Sequence, residues 1–160
     1  MRKLAMFIAA SCWLACASVA QACKPVYHAD PVADFIRDAR ISASPGFVIF
    51  SGDIVSVSEY RNAGGDLVRD TAVRTEHWWL GSGLGLVLVR SITPKEFPPC
   101  GPPSPLAAKE GERWLIFGWA RDGRIEPYTD PRVTMPLLHG HPPADMTRKL
   151  ERIGRGVPRS

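Results

Sequence analysis

The sequence predicts a mainly β protein: a five-stranded Greek-key barrel of the OB type, preceded by one short helix. Three observations lead there. Five runs rich in β-branched and aromatic residues fall within about 85 residues, several are long and interrupted by glycine, and helical spacing of apolar residues appears only ahead of them and near the C-terminus. Long, bent, antiparallel strands in so short a stretch favour closure over an open sheet, because closure removes exposed edges.

Taken in order, Asp30 and Pro31 supply an N-cap and a first helical residue, and Val32, Phe35, Ile36 and Ala39 follow at helical spacing. Ser44-Pro45-Gly46 ends this helix. From Phe47 to Tyr60 the pattern is that of a strand, with Gly52 marking a bend or bulge. Asn62 to Asp66 forms a turn, a second strand runs from about Val68 to Leu80, and Gly81-Ser82-Gly83 breaks it. The third strand, Leu84 to Ile92, contains the consecutive apolar run Leu86 to Val89, which predicts burial on both faces. Pro94 to Pro105 is a proline-rich loop holding Cys100, and Arg113–Ala120 with Arg124–Tyr128 forms a hairpin across Asp122-Gly123. Beyond Asp130, prolines punctuate an irregular tail. Asp145 is positioned to cap a last helix with Met146, Leu150 and Ile153 on one side, read either as a lid on the barrel or as a free basic tail.

The first 22 residues read as a secretory signal, with Arg2 and Lys3 ahead of an apolar stretch from Leu4 to Ala17 that is too short for a comfortable membrane span. Ala20-Gln21-Ala22 favours a cut just before Cys23, with a cut after Ala20 or acylation of Cys23 as the alternatives. The expected organisation is therefore a signal over 1–22, a barrel domain over 23–130 and a basic tail over 131–160. No stable membrane span remains after processing, and the destination is the periplasm or the extracellular space. Arg2 and Lys3 carry two of the formal charges behind a net +4, so the mature chain is only mildly basic, which argues against nucleic acid as a partner. Cys12 and Cys16 leave with the signal, and the surviving even pair, Cys23 and Cys100, implies a disulfide in an oxidising compartment.

Candidate chemistry is sparse. His139-Gly140-His141 with Asp145 offers ligands for a loose metal site but lacks a third well-spaced imidazole, so a solvated tail is the better reading. Gly81 to Gly85 resembles a phosphate loop, yet a strand rather than a helix follows it, which makes it a turn. His28 and His77 have no evident sequence partner. Trp78, Trp79, Trp114 and Trp119 invite ligand stacking, but alternate residues on these strands must fill the barrel. No G-x-S-x-G or H-E-x-x-H stands in the chain, so the expectation is a binding protein without cofactor or intrinsic metal rather than an enzyme.

Cys100-Gly101, followed by Glu110-Gly111-Glu112-Arg113-Trp114-Leu115-Ile116-Phe117-Gly118-Trp119-Ala120-Arg121-Asp122-Gly123-Arg124-Ile125, resembles the tissue inhibitors of metalloproteinases and the related netrin modules. Phe47 to Val55 looks like the apolar first strand that follows the N-terminal helix in that family, and the similarity spans roughly Cys23 to Asp130. The resemblance implies a bridge between Cys23 and Cys100. It also implies that the free amine and carbonyl of Cys23 chelate the zinc of a target protease while Lys24 points to the specificity pocket. Lys24 replaces the small or apolar residue usual there, and the family's second bridge is missing at Pro25 and about Thr129. A non-inhibitory envelope or extracellular binding module is the alternative.

Overall fold

The computed structural model describes residues 29–41, 46–96, 106–128 and 130–155. Helix α1 spans Pro31–Ile41, and strands β1 (Phe47–Arg61), β2 (Leu67–Leu80), β3 (Leu86–Thr93), β4 (Arg113–Arg121), β5 (Arg124–Pro127) and β6 (Met135–Pro136) precede helix α2 (Ala144–Arg155). The strands run in the order β1-β2-β3-β5-β4, and a further β1–β4 pairing closes them into a five-stranded barrel. All neighbours are antiparallel except β3 and β5, which meet in parallel at Val89 and Ile125.

Asp30 caps α1 as its position suggests: its carboxylate accepts the Ala33 N–H at 3.2 Å and its carbonyl accepts that of Asp34 at 3.0 Å. Strand β1 serves two partners, pairing through Phe47–Asp53 with β4 and over most of its length with β2. It does so by coiling, with register shifts on both sides of Gly52. A Cβ at Gly52 would lie 2.3 Å from the Arg74 carbonyl oxygen, so only glycine lets the two backbones pass. The β4–β5 hairpin turns on Asp122 and Gly123, at φ 51° and 74°, the two positive angles of a type I′ turn.

Two apolar layers result. Val48, Phe50, Ile54, Val73, Val89, Leu106, Ala108, Trp114, Ile116 and Ile125 fill the barrel interior. Ile49, Leu115 and Phe117 face the other way and meet Val32 and Phe35 of α1, Met146 and Leu150 of α2, and Val133 and Leu137. Phe35 is fully buried, edge-on to Phe117 at 5.0 Å and beside Phe47, Trp119 and Tyr128. The consecutive apolar runs of β1 and β4 are thus buried on both sides, one face in the barrel and one under the helices.

Three expectations need correction. The Leu86–Val89 run is not buried on both faces: Val89 is buried, but Leu86 is 56% exposed, because among the described residues no helix covers the outer side of β3. Asp145 is not the cap of α2 but lies in its first turn. The helix starts one residue earlier, where the Pro143 carbonyl accepts the Thr147 N–H at 2.9 Å and proline, with no N–H of its own, sits ahead of the first turn without loss. The tail is also less irregular than its prolines suggest. Met135 and Pro136 add a short strand to β4, and α2 docks as a lid through Met146, Leu150 and Ile153.

Phe35→Ala should lower unfolding stability by about 3–5 kcal/mol, as loss of a fully buried aromatic does. Leu138→Ala, at an exposed leucine, should change it by no more than about 0.5 kcal/mol. Urea denaturation of both variants checks the contrast.

Candidate functional site

The residues expected to form the inhibitory wedge, Cys23 and Lys24, and the bridge partner Cys100 lie outside the described residues, as do His28, Pro25 and Thr129. What the structure describes nearest to these residues in sequence is helix α1 and its cap. Asp30, seven positions beyond Cys23, caps α1 and accepts an ion pair from Lys149 of α2 at 3.1 Å. The Ala33 N–H and the Lys149 ammonium hold the Asp30 carboxyl below the ordinary aspartate range. Helix α1 is therefore fixed twice, to the barrel by Phe35 and to α2 by its cap.

The other candidate surface is the outer wall of β1, β2 and β3, whose cross-strand rows follow from register. Tyr60, Val68 and Ile92 form one row; Ser58, Asp70 and Arg90 the next; Ser56, Ala72 and Leu88 the third; and Arg74 with Leu86 the fourth. Leu84, 82% exposed, extends the wall beyond the strand end. Arg90 grips Asp70 through Nε and Nη2, both at 2.6 Å, and the Tyr60 hydroxyl donates to the same carboxylate at 3.4 Å. Hydrogen bonds from Arg90 chiefly, with its charge, a hydrogen bond from the Tyr60 hydroxyl and the charge of Arg124 nearby, hold the Asp70 carboxyl low. This leaves a mutually neutralised pair in the middle of a wall whose exposed apolar residues lie mainly on β3, with Ser56 and Ser58 of β1 and Arg74 of β2 beside them.

The opposite face of the same strands becomes polar toward one end. Arg69 pairs with Glu59 and donates to the Ala108 carbonyl, tying the segment before β4 to the barrel wall, and Thr71 and Ser91 are buried on the same face. At the start of β4, Arg113 bridges Asp53 at 2.8 Å and Glu76 at 2.9 Å, joining three strands, and it holds Asp53 below its ordinary range. Glu112 accepts both the Trp114 indole N–H at 2.8 Å and the Lys109 N–H at 2.9 Å.

The four described tryptophans are packing residues. Trp78 lies against Phe50 at 4.7 Å, Trp114 is buried in the barrel, and Trp79 and Trp119 pack on the layer beneath the helices. His77 rests against the Trp79 ring at 4.5 Å. Gly81 has φ 79° and ends β2 in a turn. His139, His141 and Asp145 are not brought together, and among the described residues no group of three His, Cys, Asp or Glu side chains could hold a metal. No described helix is long and apolar enough to cross a membrane.

The outer wall escapes sequence reading because its pattern is split between strands. Val68, Asp70, Ala72 and Arg74 alternate on β2 and Leu86, Leu88, Arg90 and Ile92 on β3, but only register sets Asp70 opposite Arg90. Comparison with protein-family models, with curated proteins and with solved structures finds no match.

Because the folded Asp70 carboxyl sits below its unfolded value of about 3.9, its pairing stabilises the fold above that pH and the benefit is lost as pH falls through the lower folded value. Between about pH 4 and pH 2 the wild type should therefore lose melting temperature faster than Asp70→Asn. Thermal melts at stepped pH read the difference.

Proposed function

We propose that the chain is an exported protein-binding module of the metalloproteinase-inhibitor or netrin-module kind, cut before Cys23 and acting in the periplasm or extracellular space. The observation that carries the reading is the construction of the barrel. Its interior is filled by Phe50, Trp114, Ile116 and their neighbours, so a ligand is met at the surface, as a protein partner is. The partner is a zinc metalloprotease. The amine and carbonyl of Cys23 occupy the coordination position that the catalytic zinc keeps for water, a Cys23–Cys100 bridge holds the chelate in shape, and Lys24 enters the specificity pocket.

The footing of α1 supports this chemistry. A segment that must present two atoms to a metal loses less on binding when it springs from a rigid element, and α1 is anchored by a buried aromatic and an interhelical ion pair only seven residues on. A non-inhibitory envelope or extracellular module is the second reading, favoured by the bare apolar wall at Leu84, Leu86 and Ile92.

The chain processed to Cys23 should inhibit a zinc metalloprotease, and the same chain with one extra alanine ahead of Cys23 should not, because acylating the amine removes its lone pair from the metal. Inhibition constants for the two forms against one protease decide it. Equal inhibition by both sinks the chelation mechanism.

A further inference from the structure

We infer that the outer wall of β2 and β3 is a two-fold interface with a second copy of this chain. This rests on the surface that favours the second reading above and owes nothing to Cys23. Exposed apolar rows on a small barrel mark an interaction surface, and the question is which partner fits the arrangement of residues found here.

The two strands differ in height. On β2 the outward residues are low: Val68 is buried and Ala72 is small and half-buried. On β3 they stand up, with Leu86 at 56% and Ile92 at 52% exposure and Leu88 between them. The wall is a trough beside a ridge. Charge follows the same division, since Asp70 lies on the trough strand and Arg90 opposite it on the ridge strand.

A two-fold axis lying in the interface, parallel to the strands and midway between β2 and β3, exchanges trough for ridge. It sets Leu88 of each copy over Ala72 of the other, Ile92 over Val68, and Arg90 over Asp70, so that large meets small in two rows and cation meets anion in the row between them. The register supplies all three matches at once, Val68 with Ile92, Asp70 with Arg90 and Ala72 with Leu88. Leu86 then lies along the stem of the other copy's Arg74, whose guanidinium reaches the rim. An axis perpendicular to the strands and centred on the same row would stack Asp70 on Asp70 and Arg90 on Arg90, so for a pairing centred there the charges choose the orientation. A foreign partner carrying a net charge gains little here, because Asp70 and Arg90 already neutralise each other within the copy. A second copy offers the same neutral pair reversed.

Sedimentation equilibrium of the mature chain, in reductant so that no intermolecular disulfide contributes, tests this. The wild type should sediment at twice the monomer mass with a dissociation constant at or below about 10 µM. Leu86→Glu and Ile92→Glu, both at exposed positions that leave the barrel folded by near-ultraviolet circular dichroism, should weaken association more than about tenfold. Asp70→Arg should abolish it, and adding Arg90→Asp to that variant should restore it, because the exchange rebuilds the pair both within and between copies. The chain with an extra alanine before Cys23 should dimerise like the wild type, whether or not it inhibits, which separates this inference from the inhibitory reading. A wild type that stays monomeric to about 100 µM overturns the inference, and so does a dimer indifferent to Leu86→Glu and Ile92→Glu.

Discussion

The structure depends on one constraint: β1 must belong to two walls at once. Its first half pairs with β4 and most of its length, from Ile49 on, runs along β2, and this double membership is what closes the barrel. The cost is a sharp coil at Gly52, where the backbone passes so close to the Arg74 carbonyl that no side chain fits. Closure in turn gives β1 and β4 two buried faces. Phe50 and Ile116 point into the barrel, while Ile49, Leu115 and Phe117 form the floor on which α1 and α2 are built.

The helices follow from that floor. Helix α1 is too short to persist alone, since isolated helices of fewer than about 12 residues are marginal in water. Its stability is tertiary: Phe35 enters an aromatic nest made by Phe47, Phe117, Trp119 and Tyr128, and Asp30 joins its cap to Lys149. Covering one side of the barrel leaves the other bare. The second half of β1, the first half of β2 and all of β3 have no helix over their outward residues among the described residues, whereas the end of β2 packs under the helices through Trp79 and Leu80, and on the uncovered part Leu86, Leu88 and Ile92 meet solvent. The barrel thus has one side covered by its own helices and one side open to solvent.

Much of the fold was legible in the residues. The cap at Asp30, the bend at Gly52, the Asp122-Gly123 hairpin and the apolar stripe of the last helix each depend on neighbours a few positions away, and each stands where its local chemistry puts it. Less legible was the fate of an apolar run. Leu86 to Val89 and Trp114 to Phe117 look alike along the chain, yet one is half exposed and the other buried on both sides. Whether a second layer covers a strand depends on where distant helices dock, which period and composition do not encode. The candidate wedge is a different case. Cys23 and Cys100 were found by position and count, and their role rests on a family resemblance.

The sequence by itself determined the mainly β class, the order of the first helix and the five barrel strands, the turns and the cap of α1, because hydrophobic period, glycine and proline geometry and side-chain capping all act over a few residues. Only the tertiary structure decided which strand faces are buried, that the tail returns as β6 and a docked helix, and that Asp70 meets Arg90 in the middle of an open wall. The physical reason is that burial and charge pairing are properties of surfaces brought together by closure. In this chain one closure, β1 onto β4, decides which surface is core and which is left open to solvent.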